Sequence, residues 1–468
     1  MATAGTMNQG YSDPSLLNAL LSGQHFWPTE PRTLHEVGLT EPFIDALASK
    51  YLLAGGNATG RTISADICLP FPIVEASLER LRQRRLVTHV GAGRFNDYVY
   101  GLSEEGRNLA RVHHKECSYV GPAPVPLEDY IISVEAQAIG DEPVRRSNLL
   151  DAFHDVSVAP NMLDALGPAV NSASGMFLYG APGNGKSTLA NRITSCFGQS
   201  VWIPHAVIDG REIITLFDPA YHHRSTEESG NHDKRWILTR RPTVVVGGEL
   251  TMNSLEISHD PVSNISEAPL QMKSNCGCLL IDDFGRQRVS PAELLNRWIV
   301  PLENRHDYLT LSTGKKIQVP FEQLIIFSTN LNPSDLVDEA FLRRIPYRLE
   351  IDDPDEDEFH NLFQIAAEKA GCYYDPDAVD HLLKTYYQVQ GRPMRRCHAR
   401  DLLQQVRNYC TYNDLPFEMV PDYFDKVAGT FFTPMPTKPL APAGAPSDQT
   451  VASDVMANIP GRSQSEAE

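Results

Sequence analysis

The most constraining feature of the chain is a single junction near its middle. Gly175-Met176-Phe177-Leu178-Tyr179 reads as a buried strand and runs straight into Gly180-Ala181-Pro182-Gly183-Asn184-Gly185-Lys186-Ser187, after which Thr188-Leu189-Ala190 starts a helix. Glycines let backbone N–H groups fold around a phosphate without Cβ clashes, and a helix N-terminus adds partial positive charge. In this pattern Lys186 reaches the β- and γ-phosphates and the Ser187 hydroxyl ligates Mg²⁺. Gly180, Pro182, Gly183, Asn184, Gly185, Lys186, Ser187 and Thr188 are therefore the expected ATP-binding residues, with Ser187 also a metal ligand.

A second apolar strand, Cys278-Leu279-Leu280-Ile281, ends in Asp282-Asp283. Apolar residues on both faces fit a central parallel strand, whose C-terminal end is the ligand-bearing edge of such a sheet. Asp282 is the expected Mg²⁺ partner, and Asp283 the residue that orients or deprotonates an attacking water. From 156 to 354 strands and helices alternate, which predicts an α/β domain. From 355 to 431 the pattern is helical, predicting a small lid. Residues 432–468 are rich in Pro, Ala and Ser and predict a disordered tail.

Upstream, 1–33 reads as a flexible extension. Residues 34–115 predict helices over 43–53, 62–69 and 72–86, a turn at 57–60, strands at 86–90 and 98–102, and a closing helix at 103–112. That order is the order of a winged helix-turn-helix domain. Residues 116–155 read as a connector, extended and stiff over 121–126. The interval after the phosphate loop holds a hairpin around Asp209-Gly210 and a polar stretch, 221–241, expected to be a mobile insertion.

Composition narrows the partners. The 468 residues carry a formal net charge of −18, a poor basis for non-specific nucleic-acid binding. A DNA contact would need a local patch, and the one candidate is 72–85, ending in Glu79-Arg80-Leu81-Arg82-Gln83-Arg84-Arg85. DNA binding and protein docking both stay open for that helix. The pair Cys276-Gly277-Cys278 lacks zinc-site spacing and predicts buried thiols. His113-His114 and His222-His223 are expected at the surface. Neither a membrane span nor a signal peptide is evident, which predicts a cytoplasmic protein with no membrane partner.

On these residues the chain resembles the AAA+ family of P-loop ATPases over about 156–430. Further segments carry the resemblance. Leu324-Ile325-Ile326-Phe327-Ser328-Thr329-Asn330 is similar to the sensor 1 strand, which makes Asn330 the residue that helps position water. Asp338-Glu339-Ala340-Phe341-Leu342-Arg343-Arg344-Ile345 is similar to the arginine-finger segment, with Arg344 preferred and Arg343 next. Gly391-Arg392-Pro393-Met394-Arg395-Arg396 resembles sensor 2, with Arg395 preferred and Arg396 the fallback. The alternating segment 308–319 resembles the pre-sensor-1 hairpin of the branch that includes Clp-type unfoldases, MoxR-type chaperones and RuvB-type motors. The resemblance implies a parallel sheet sandwiched by helices, a helical lid, Mg-ATP as cofactor, and a homo-oligomer, six subunits being the family habit. It implies ATP hydrolysis used, chaperone-like, to remodel or assemble a protein client. An ATP-gated DNA-binding regulator or loader is the alternative. One departure is Asp283 where most of the family has Glu; Asp282-Asp283-Phe284-Gly285 matches helicase-loader ATPases and leaves slow, switch-like hydrolysis or a scaffold role open.

Overall fold

The computed structural model describes residues 26–432 except 95–96, 140–142, 155–157, 159, 198–199, 227–229 and 338. Most of the expected extension and the whole 433–468 part of the expected tail lie outside the described residues, as do Asn96, Val156 and Asp338.

Five parallel strands form the central sheet, in the order Thr243–Val246, Cys278–Ile281, Leu324–Thr329, Met176–Tyr179, Tyr347–Glu350. Side chains alternate across a strand, so a sheet covered on both faces needs apolar residues at every position. The two cores divide that way. Met176, Leu178, Leu280 and Ile326 join the helix Lys186–Ile193 on one face. Phe177, Leu279, Ile281, Ile325 and Phe327 meet Trp298 of the helix Pro291–Asn304 on the other. The latter helix starts with a capping box between Ser290 and Glu293, which satisfies two donors its first turn would leave free. The helices Glu356–Ala370, Pro376–Leu382, Arg396–Tyr412 and Pro421–Phe431 close on their own core around Phe359, Phe363, Leu402 and Phe424.

A second sheet joins strands from scattered parts of the chain, in the order Ser258–Asp260, Ile265–Glu267, Glu212–Thr215, Ala206–Asp209, Val125–Pro126. It packs with the helix Leu127–Glu135 and with the hairpin His306–Thr310/Lys316–Pro320 in one apolar cluster. The segment 116–155 is thus more than a connector. Its extended part ends in the edge strand Val125–Pro126, where a proline costs no ladder bond, and the following helix buries Leu127, Tyr130 and Val134.

The polar stretch 221–241 also differs from the expected mobile insertion. Trp236–Arg240 pairs antiparallel with Ser200–Pro204, and Arg235 and Asp233 are buried against each other. Its polarity is that of an internal ion pair, which periodicity cannot distinguish from a solvated loop. His222 is buried rather than at the surface: its Nδ1 accepts from the Asp218 N–H at 2.9 Å and its Nε2 lies 2.8 Å from the Lys273 carbonyl. The last residues of the expected extension are anchored too, Phe26 packing on Trp236 and Trp27 on Trp202.

Toward the N-terminus the helices Glu41–Gly55, Gly60–Asp66, Phe71–Gln83 and Glu104–Glu116 surround a three-stranded sheet. The expected turn at 57–60 contains a short strand, Ala58–Thr59, paired with Tyr100 and Val99. Ala206, Ile208 and Ile213 of the second sheet complete this unit's core.

Candidate active site

The phosphate loop stands at the C-terminal end of the central sheet because its strand, Met176–Tyr179, lies between two parallel neighbours. Gly180, Gly183 and Gly185 have φ of 140°, 84° and 84°, conformations that a side chain would strain. A Cβ at Gly180 would come within 2.4 Å of the Ile351 carbonyl oxygen, so this turn also needs the space.

Lys186 opens the following helix and is buried. Its ammonium donates to the carbonyls of Gly180 at 3.0 Å and Ala181 at 2.9 Å, and to Asn330 Oδ1 at 2.7 Å. Burial pulls its pKa below the usual lysine value, against the opposing pull of the Asp283 and Asp282 carboxylates, with Arg395 adding to the lowering. The Asn330 amide serves two partners, since its Nδ2 donates to Asp283 Oδ1 at 3.1 Å. The Ser187 hydroxyl donates to Asp282 Oδ2 at 2.8 Å. Asp283 has φ of 51°, a left-handed conformation that Asp tolerates better than most residues. Gln287 holds this turn, donating to the carbonyls of Asp282 at 2.8 Å and Asp283 at 3.2 Å.

These groups face a cavity of about 1260 Å³ between the sheet and the helical lid. Of the expected residues, Pro182, Gly183, Asn184, Gly185, Lys186, Ser187, Thr188, Asp282, Asp283 and Asn330 line it. Gly180, Arg344 and Arg395 do not. Arg344 pairs with Glu303 at 2.7 Å, and its neighbour Arg343 is exposed and pairs with Glu339 at 3.3 Å. Arg395 pairs with Asp353, while Arg396, which does line the cavity, pairs with Glu358.

Sequence reasoning missed the rest of the wall. Val158 and Met162, with Leu362, Ile365 and Leu403 of the lid, add apolar side chains to the lining, suited to a flat ring, and the lid also brings Lys369, Arg400 and Arg407. No motif marks those positions, because they meet only when the lid folds over the sheet. Asp353 was missed as well, although its signal was present: the pair Asp352-Asp353 stands just past a strand of the central sheet, Tyr347–Glu350, as Asp282-Asp283 stands at the end of another.

Among the described residues no group of three or more His, Cys, Asp or Glu side chains could hold a metal, and no helix is long and apolar enough to cross a membrane. Cys276 and Cys278 are buried, and burial pushes both thiols up to about 12.

A family model described as a domain of unknown function (DUF8689) matches residues 355–429, the helical lid. No curated protein matches the chain. Solved structures similar to it include NtrX from Brucella abortus in complex with ADP, at 16% identity over 63% of this chain, with a TM-score of 0.37. The chain spans 60% of the length of that NtrX structure. The Thermotoga maritima RuvB Holliday junction branch migration motor aligns at 17% identity over 58% of this chain and 69% of its own, with a TM-score of 0.34. The strand order decides the fold: the phosphate-loop strand sits between the strand leading to Asn330 and the strand Tyr347–Glu350, with a helical lid following. The fold is the parallel α/β sheet with a helical lid that the sequence predicts. Within this module the loop, the Asp282-Asp283 turn and Asn330 converge at one edge of the sheet.

Proposed function

We propose that the chain binds Mg-ATP in this cavity, hydrolyses it, and acts as a homo-oligomer that remodels or assembles a protein partner. The observation that carries the reading is the connected set Ser187–Asp282 and Lys186–Asn330–Asp283 at the mouth of the glycine loop. Lys186 would hold the β- and γ-phosphates. Ser187 and Asp282 offer two hard oxygens on one side of the loop, a donor set that fits Mg²⁺. The ion, when bound, would neutralise charge on the phosphate oxygens. Asp283 would orient the attacking water, and Asn330 would fix both Asp283 and Lys186. Arg344 would act from a neighbouring subunit, six in a ring by family habit, and Arg395 would answer to the terminal phosphate.

The test is an Asp283→Asn protein used as an ATP-loaded trap, with Lys186→Ala as the control that holds no nucleotide. A discrete protein enriched on the trap alone supports the remodelling reading. Hydrolysis by the unaltered chain should also rise more than proportionally with protein concentration. A rate strictly proportional to concentration would remove Arg344 from the site.

The alternative, an ATP-gated DNA-binding regulator or loader, has fewer side chains to draw on than the sequence suggests. Arg80 pairs with Asp45 at 2.8 Å and with Glu41 at 3.4 Å, and Arg82 pairs with Glu79 at 2.7 Å. Arg84 and Arg85 remain exposed at the end of the helix. Nucleic acid enriched on the trap and lost at moderate salt would favour this alternative.

A further inference from the structure

The start of the lid helix Arg396–Tyr412 is pinned to the phosphate loop. The Cys397 N–H donates to the Gly183 carbonyl at 2.9 Å, and the Arg396 N–H to Asn184 Oδ1 at 3.4 Å. Asn184 is buried, and its Nδ2 donates to Asp353 Oδ1 at 2.7 Å. The same carboxylate oxygen takes the Arg395 guanidinium. One acid, 169 residues along the chain from Asn184, therefore serves both the loop and the lid.

Those contacts fix the backbone around Arg395, so a change of partner would have to come from its side chain. The Arg395 Cβ lies 3.7 Å from where a Cβ on Gly183 would stand, so that side chain is rooted at the loop. Its charge is already felt by Lys186. A guanidinium N–H donates fully to one anion at a time. Here that anion is Asp353, whose side chain is 38% exposed against 20% for Arg395, and Asp353 lines the cavity that Arg395 does not.

We propose that Asp353 competes with the terminal phosphate of ATP for Arg395 and thereby sets how strongly the chain prefers ATP over ADP. The inference rests on the ATP-binding reading above. A ligand shifts a two-position group only by its differential interaction with the two positions. ATP gains Arg395 at the cost of the Asp353 pair; ADP, which has no γ-phosphate, leaves the pair intact. Asp353 is thus a positioning residue that acts through Arg395.

The experiment measures binding of ADP and of a non-hydrolysable ATP analogue to the full chain and to Asp353→Asn, Arg395→Ala and the double variant. The amide of Asp353→Asn keeps a carbonyl oxygen for Asn184, so the loop contact survives. Asp353→Asn should raise affinity for the ATP analogue relative to ADP about fivefold, the scale of a partly exposed ion pair. In the Arg395→Ala background it should leave that ratio unchanged, because the competition is gone. An equal gain for both nucleotides, or a changed ratio that persists without Arg395, would overturn the proposal and reduce Asp353 to a local charge. If the unaltered chain binds neither nucleotide, the ATP-binding reading itself fails, an outcome distinct from the other two.

Discussion

Among the described residues stand two five-stranded sheets, built on opposite principles. In the parallel sheet the inner strands are mainly apolar runs, and Cys278–Ile281 and Leu324–Thr329 are buried throughout. In the second sheet the strands have two to four residues, drawn from segments near 125, 206–215 and 258–267. The first is held by apolar packing on both faces. The second leans on polar anchors. Glu212 accepts from the Ser266 and Ser312 hydroxyls at 2.6 and 2.8 Å, and Lys315 reaches Asp209 at 2.6 Å. A sheet that carries chemistry at its edge gains from a core indifferent to what binds there. A sheet assembled from distant pieces needs directional contacts to choose among many weak pairings.

The sharpest way to break the comparison is to remove one polar anchor from the region beside the second sheet. Arg235 and Asp233 pair at 2.8 Å with side chains only 3% and 4% exposed. Arg235 Nη1 also donates to the carbonyls of Val37 at 2.8 Å and Pro124 at 3.4 Å, tying together three parts of the chain. Arg235→Ala would leave Asp233 buried without its partner and should cost about 3–5 kcal/mol. Urea unfolding should show the loss in the N-terminal half first, where Trp202 and Trp236 report by fluorescence. Unchanged stability would mean that apolar packing holds this region as it holds the parallel sheet.

The next largest effect belongs to the parallel sheet, and there the expectation reverses. Lys186→Ala should lower ATP hydrolysis about 100-fold or more, the scale of losing a preorganised cationic contact to a developing charge. The fold should survive, because the lysine's partners are loop carbonyls and Asn330 rather than the core. A steady-state ATPase assay beside a thermal melt separates the two outcomes. Loss of both rate and melting temperature would make Lys186 a structural residue first.

This contrast also explains what the sequence could and could not reveal. The strand before Gly180 and the one before Asp282 were legible because contiguous apolar runs end in chemically distinctive residues. The pairing of Val125–Pro126 with Val207 and Ile208 was not, because a two-residue strand has no periodicity to detect. The Asp233–Arg235 pair falls in the polar stretch read as a mobile insertion, since charge alone does not tell a buried pair from a solvated one. In the site, the loop could be read from local context, and Asn330 only through the family resemblance. The apolar wall from Met162, Leu362 and Ile365 could not, because those residues meet only across the cleft.

The smallest effect concerns the joint between the second sheet and the hairpin that leads into the parallel sheet. Besides the two hydroxyls, Glu212 accepts from the Ser312 N–H at 3.2 and 3.0 Å, which holds the tip of the 306–320 hairpin against the second sheet. Burial raises the Glu212 pKa, but the hydrogen bonds from Ser266 and Ser312 outweigh it and leave the carboxyl below its usual value. The sign follows. A carboxyl with a depressed folded-state pKa contributes stability above its unfolded value, and that contribution fades as pH falls through the folded value. The clamp should therefore hold at neutral pH and loosen in acid below the ordinary carboxylate range. Glu212→Gln keeps one acceptor oxygen and should cost about 1 kcal/mol at neutral pH. Hydrogen exchange at Ser312 and Lys315 should quicken in the variant while exchange in Leu324–Thr329 stays slow. If both segments quickened together, the two sheets would be a single cooperative unit and the division between them would not hold.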